Sequence, residues 1–544
     1  MNTLLCAAVA ALAGLIGGAD RTAGFDVRMY GALGDGHTKD TAAIQKAIDA
    51  CAASGGGTVH IAPGTYISGS LHLRSHVTIR LDAGATLKGS KDLADYDPVE
   101  ELGFKNDADR ETSFFHHSLL WGEDLERVGI VGEGTIDSNW DSRRGPKAIA
   151  LKRCRFVHIE DVHIVNIPNY AISLLGTDHV NIEGVTILNG FADGIDPDAC
   201  RNVRISNCHI ETWDDAIVPK ASYSLGERRS TENITVTNCY LATACNAFKL
   251  GTESGGDFKR IALSNCVMAG LQGKRDAISG IAIESVDGSN IDGIVVSNVS
   301  MVNVRAPVFI RLGNRGRDMQ TPVPGTLRNV SIDNVVAANA SLTCSVTGIP
   351  GHAVENIALS NIRIMFAGGG PYRPVSETVP EMIDKYPDAD MFEALPGYAL
   401  YCRHVRGISL RDVELSYEDP FWRIPREQGA TKIRPLAGAA IGAEPEGEVG
   451  NAIVCDDVQG VRISGLRAQP SKAGDAVIRL AAARDVLISS SVAMPGTTVF
   501  AEVVGQECRA IRLVGNALDM ATKPYALIDT AEGAVAAVAN TGSD

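Results

Sequence analysis

Short stretches that alternate apolar and polar residues recur along most of this chain. TVHIAPG, HVTIRLDAG, RVGIVGEG, FVHIEDVHI, HVNIEGVTI, NVRISNCHI, NITVTNCYL, RIALSNCVM, GIVVSNVSM, NVSIDNVVA, NIALSNIRI, GISLRDVEL and GVRISGLRA share one form: an alternating run, a turn at Asn, Asp or Gly, then a second apolar pair. Taking the first branched residue of successive copies as a marker gives Val157, Val180, Val203, Ile234, Ile261, Ile294, Val330 and Ile357, at intervals of 23, 23, 31, 27, 33, 36 and 27 residues. Alternation of period two is the mark of a half-buried strand. One copy cannot bury its own apolar face, whereas stacked copies bury a continuous one. The intervals are too long for hairpins and too irregular for a coiled coil. They predict an all-β chain wound as a right-handed parallel β-helix, with strands about 4.8 Å apart.

Four places after the marker stand Asn207, Asn238, Asn265, Asn298, Asn334 and Asn361, which fits amides hydrogen-bonding up a ladder of identical bends. In the next column Cys208, Cys239 and Cys266 give way to Val299, Val335 and Ile362, so these cysteines read as small core residues that need not form disulfides. A secreted chain permits bridges, which Cys200 or Cys245 would be the ones to join, but 12 cysteines over 544 residues define no disulfide framework. One segment breaks the strand pattern: residues 38 to 57, TKDTAAIQKAIDACAASGGG, read as a short amphipathic helix capped by Asp40 or Thr41 and stopped by glycines. Such a helix covers the open first coil of a solenoid. The repeat assigns residues 25–420 to the main β-helix, with an excursion at 364–400. Residues 421–450 read as another loop, and 421–544 as that loop followed by terminal coils or a small β appendage.

Composition agrees with one long solenoid. Of the 544 residues 45% are apolar but only 5% aromatic, so the core is aliphatic. A formal net charge of −15 disfavours nucleic acid as a partner. Residues 1–24, an apolar run followed by small residues, read as a secretory signal, which predicts a secreted or periplasmic protein. No later segment is long and apolar enough for stable membrane insertion.

Candidate chemistry gathers between Asn169 and Arg317, in FADGIDPDAC, TWDDAIVPK, CNAFKLGTES, SGIAIESVD and FIRLGNRG. Registering these strands puts Gly194, Ala216, Ala247, Gly280 and Val308 at one level. Asp193 then lies one coil below Asp215, Asp214 flanks the same edge, Asp196 lies below Val218 and Lys249, and Lys220 and Glu284 fall near one column. Clustered carboxylates divide acid–base labour, because repulsion and burial keep a proton on one while another stays ionised. Glycosidic cleavage needs that division: one acid protonates the leaving oxygen while a second carboxylate activates water or attacks carbon. Asp193, Asp214 and Asp215 are the catalytic candidates. Asp196 and Asp198 are explained equally well by an Asp-Pro-Asp turn.

These motifs resemble glycoside hydrolase family 28, the polygalacturonase and rhamnogalacturonan hydrolase family. The opening FDVRMYGALGDGHTKDTAAIQKAIDAC is similar to the family's amino-terminal cap, and the likeness extends over roughly residues 25 to 320. Phe191-Ala192-Asp193 stands at the family's Asn-Thr-Asp motif and Trp213-Asp214-Asp215 contains its Asp-Asp pair. The resemblance implies Asp214 as general acid, with Asp193 and Asp215 positioning and activating water. It also marks departures: Asn246 occupies the place of the family's His, Ala282 that of its Arg and Glu284 that of its Lys. An acid at the Lys position repels a galacturonate carboxylate there. The expected substrate therefore carries a neutral or differently placed sugar, unless Lys249 and Arg311 restore the positive charge.

Other residues expected to bind substrate are Trp213, by stacking on a sugar face, with Lys220, Asn246, Lys249, Glu253, Glu284 and Arg311. Asn169, Tyr170 and Asn314 are weaker lining candidates. Arg403 and His404 read as a solvated edge. The function expected is hydrolysis of a plant or microbial polysaccharide or oligosaccharide by inverting acid–base catalysis, with the long loops favouring action from the chain end, and with no cofactor or metal. Two alternatives carry different chemistry: a calcium-dependent polysaccharide lyase with Lys249 or Arg311 as base, and a noncatalytic carbohydrate-binding β-helix, which the fold alone would serve equally well.

Overall fold

The computed structural model describes residues 25–367, 371–418, 424–425, 450–470 and 475–542. The expected signal at 1–24 and most of the loop at 421–450 lie outside the described residues.

The chain winds as a right-handed parallel β-helix. Strands pair with their counterparts one coil away, and the ladders between named strands run parallel. The marker residues stack in the order the repeat requires: Val157 on Val180, Val203, Ile234, Ile261, Ile294, Val330 and Ile357. The same row continues through Ile408, Val461, Val486, Ile511 and Val535, so the coils persist to the end of the described chain. Residues of this row are buried except Val535 at its end, while their neighbours, such as Arg204 and Thr235, face outward. Each Val or Ile taken from water contributes about 1.5–3 kcal/mol, so the long apolar column is the main cohesive element.

Bends between strands repeat as well as the strands do. Asn207, Asn238, Asn265, Asn298, Asn334 and Asn361 all adopt left-handed backbone, φ 51–58°, which Asn tolerates better than most side chains. Their amides stack in two runs. Asn238 Nδ2 donates to Asn207 Oδ1 at 3.4 Å; Asn334 donates to Asn298 at 2.8 Å and Asn298 to Asn265 at 3.0 Å. Between the runs Asn265 turns to Thr237 instead, and at the top Asn361 turns to Asp333. Cys208, Cys239 and Cys266 are buried with free thiols, and Cys200 and Cys245 are likewise unbridged.

The predicted cap is the α-helix Thr41–Ala53, which buries Ile44, Ala47, Ile48 and Cys51 over the first coil. Asp40 precedes it, but its carboxylate accepts from Leu33 N and Gly34 N, tying the entry loop rather than the helix end.

One register differs from the expectation. Gly194, Ala216, Ala247 and Gly280 share a row, but the next residue in it is Pro307, one place before Val308. Residues 306–312 are all buried. The outer face of this strand is covered too, so the in-out alternation that marks register is erased. The covering layer is the excursion: Val379, Ala389, Phe392 and Leu395 pack on Ala282, Ala306, Phe309, Tyr401 and Val454.

Candidate active site

Parallel stacking carries sequence-distant polar residues into rows on one outer face. Lys147, Tyr170, Asp193, Asp215 and Asn246 occupy successive coils of a single row, joined by backbone bonds such as Gly194 N to Asp215 O at 2.9 Å and Ala216 N to Asn246 O at 2.9 Å. Gly194 makes the close approach feasible, since a Cβ there would stand 2.4 Å from Ala216 O. The expected relation of Asp193 to Asp215 is therefore observed, as is Asp196 beneath Val218 and Lys249.

Two buried lysines organise the carboxylates. Lys220 Nζ donates to Asp193 Oδ2 at 2.8 Å, Asp196 Oδ1 at 2.6 Å and Tyr170 OH at 2.9 Å, and none of these four side chains meets appreciable solvent. Burial opposes the Lys220 charge, but Asp193 and Asp196 outweigh it and hold the ammonium protonated. Burial pushes the Asp193 carboxyl well above the usual range against the pull of Lys220, and Asp196, Asp214 and Asp215 add to the push. One coil further, Lys249 Nζ lies 3.4 Å from Asp215 Oδ2, 3.6 Å from Asp388 Oδ1 and 3.9 Å from Glu284 Oε2.

Asp215 Oδ1 accepts from Asn246 N at 3.0 Å and Asn246 Nδ2 at 2.8 Å. Asn246 thus fixes the carboxylate without offering a titratable group. Asp214 is the accessible member of the trio, its side chain 22% exposed against 5% for Asp193 and 7% for Asp215. Its Oδ1 accepts from Asp215 N at 3.0 Å and its Oδ2 from Arg143. Burial alone would raise Asp214, but Arg143 and then Lys249 hold it below its ordinary value. Arg143 is itself gripped by Glu111, at 3.1 and 2.6 Å.

The remaining candidates separate into lining and structural residues. Trp213 stands at the rim, 39% exposed, with Lys274 Nζ 5.4 Å from its ring. Glu284 is fully buried, and neither of its oxygens has a hydrogen-bond partner; burial pushes its carboxyl well above the usual range. Glu253 is buried and paired with Arg317 at 2.9 Å. Arg311 does not replace the missing cation: it donates to Gly348 O at 3.0 Å, Glu381 O at 2.6 Å and Met382 O at 3.1 Å, clamping the excursion. Arg403 and His404 do the same through Glu381, so this edge is tied down rather than merely solvated. Asn314 N bonds Ile383 O at 2.7 Å, again holding the excursion. Asn169 is occupied with Gly145 O and the Tyr170 amide, whereas Tyr170 belongs to the Lys220 cluster. Asp198 faces Ser222 and is structural.

Arg143, Tyr386 and Asp388 also enter the site. Their segments carry no repeat, so no row position marked them, although Tyr386 and Asp388 lie in the recognised excursion. Asp214, Asp215 and Cys245 bring one ligand atom each within 4.8 Å of the others. Burial holds the Cys245 thiol protonated, and two carboxylates fall short of the six to eight oxygens calcium takes. The donor set does not fit that ion.

A β-helix with a carboxylate cluster on one outer face has the build of an enzyme that works on carbohydrate chains. The chain belongs to glycosyl hydrolases family 28, whose family model matches residues 51–380, and it is a glycoside hydrolase. It is 26% identical over 370 residues to a probable polygalacturonase of Vitis vinifera, covering 62% of this chain and 73% of that protein. It is also 26% identical over 394 residues to the exo-poly-alpha-D-galacturonosidase of Dickeya chrysanthemi, covering 59% of this chain and 64% of that one, just under two thirds of its length. Among solved structures, the family 28 exopolygalacturonase of Yersinia enterocolitica matches with a TM-score of 0.57 at 18% identity, covering 81% of this chain and 78% of that chain. A hyperthermoactive exopolygalacturonase from Thermotoga maritima matches at 0.54 and 20%, covering 70% and 91%. These two likenesses are of fold. No helix among the described residues is long and apolar enough to cross a membrane.

Proposed function

We propose that this hydrolase cleaves a pectin-like polysaccharide or its oligosaccharides, by inverting acid–base chemistry at Asp193, Asp214 and Asp215, and acts from the chain end outside the cytoplasm. The observation that carries the site is the convergence of the three carboxyls from adjacent coils, with Asp214 the most exposed of them. Asp214 delivers its proton to the glycosidic oxygen as the bond to the sugar carbon breaks. Water adds to that carbon from the opposite side and loses its proton to the Asp193–Asp215 pair. The exo mode rests on the excursion, which stands against the face beyond Asp215. The names of the two relatives, together with Ala282 and Glu284 at the Arg and Lys positions, favour a pectic chain whose sugar beside Asp215 is not galacturonate.

The test is a screen of homogalacturonan, rhamnogalacturonan and neutral pectic side chains with and without chelator. New reducing ends that are indifferent to chelator, released as short products from the first minutes, are expected. Unsaturated, ultraviolet-absorbing products or no cleavage would overturn it.

Arg143 sets the pH behaviour of the acid. It is one of the charges holding Asp214 low, so Arg143→Gln is expected to raise the Asp214 pKa. A general acid works while protonated, and its limb of kcat/KM falls as pH climbs through its pKa. The alkaline limb should therefore move to higher pH in the variant; an unmoved limb would remove Arg143 from this role.

A further inference from the structure

The excursion does more than cover the apolar strand face beneath it. Arg311, Asn314, Arg403 and His404 fasten its 381–383 stretch, and Arg373 donates to Ala394 O at 3.0 Å and Phe392 O at 3.3 Å further along. Between these anchors the chain projects Tyr386 and Asp388 toward Lys249. Tyr386 remains 47% exposed, with its ring centre 5.3 Å from Lys249 Nζ and 5.6 Å from the Arg315 guanidinium. Asp388 Oδ1 lies 3.6 Å from Lys249 Nζ and 3.4 Å from Asn246 Nδ2, and its side chain is 23% exposed.

Lys249 is 1% exposed, yet its nearest carboxylate oxygen stands 3.4 Å away, beyond ordinary hydrogen-bond length. Three carboxylates surround its charge without taking up its N–H donors. One of the three, Glu284, stands on the next coil with both of its buried oxygens lacking a hydrogen-bond partner. An anionic sugar approaching here meets the partly exposed Asp388 carboxylate, with Asp215 behind it, around one buried ammonium. A neutral sugar brings no charge to repel: its hydroxyls can donate to Asp388, which buried Lys249 holds from behind, and its C–H face can lie on the exposed Tyr386 ring, an amphipathic surface suited to stacking.

We propose that Tyr386 and Asp388, carried by the excursion, form with Lys249 a subsite that selects a neutral terminal sugar and turns away a uronate. This rests on the reading of the aspartate face as a carbohydrate-cleaving site and names the sugar class it takes.

The probes are methyl glycosides of galactose, rhamnose and galacturonic acid, followed by saturation-transfer NMR on the full chain carrying Asp214→Asn so that nothing is turned over. Transfer to a neutral glycoside is expected to exceed that to the galacturonide. Adding Tyr386→Ala should weaken neutral binding by about fivefold to tenfold, and Asp388→Asn should narrow the neutral-to-anionic preference while the protein still melts as the parent does. Stronger transfer to the galacturonide, no transfer to either neutral probe, or a preference untouched by both variants would overturn the subsite. Failure of the hydrolysis screen with these binding results intact would instead sink the catalytic reading and leave the subsite standing.

Discussion

Asp214→Asn is expected to lower kcat by about 10²–10⁴-fold, the usual worth of a positioned general acid, while sugar binding and fold persist. The amide keeps the acceptor that receives the Asp215 amide proton and loses only a partly exposed ion pair with Arg143, a small matter for stability. What it cannot do is hand a proton to a leaving oxygen. Turnover of the best substrate from the screen, measured beside binding of the same substrate, separates the two effects. Full turnover in the amide variant would mean that the proton comes from elsewhere, and Asp193, which burial pushes toward the protonated form, would become the donor to examine.

The largest effect on stability is expected at Lys220. Its ammonium is 4% exposed and is the shared partner of Asp193 and Asp196. Lys220→Met leaves both carboxyls buried without their cation, a loss of about 3–5 kcal/mol when a buried pair is broken from one side. Denaturant unfolding at neutral pH is the measurement. The paired variant Lys220→Met with Asp193→Asn should recover part of the loss, because the second change removes one stranded charge. A single variant as stable as the parent would show that the cluster contributes no net cohesion. Activity should fall in either variant, since Lys220 also sets the position of Asp193.

Much of this was legible before any coordinate. The marker row from Val157 to Ile357, the asparagine bends and the capping helix all arise from local rules repeated many times, and repetition lets neighbouring copies correct one another. The row holding Asp193 and Asp215 followed from the same arithmetic. Legibility failed where repetition stopped. The strand holding Val308 stands one place off the register its sequence suggests because both of its faces are buried, and Arg311 mimics a site cation because a charge inside a strand resembles a ligand-binding charge. In fact its fork holds backbone carbonyls of a loop about 70 residues away in sequence. Tyr386, Asp388 and Arg143 sit on segments without periodic pattern, where nothing in the chain says which side chain turns inward.

The layer that Phe392, Leu395 and their neighbours lay over Ala282, Phe309 and Tyr401 ties substrate choice to solubility. In most solenoids a loop on the binding edge can be lengthened, shortened or exchanged while the coils beneath go on stacking. Here trimming the excursion would strip the cover from an apolar patch and offer it to other molecules. Changes of sugar preference at this site are therefore expected to be tolerated best as point changes at the tip around Tyr386 and Asp388, with the hydrophobic underside kept as it is.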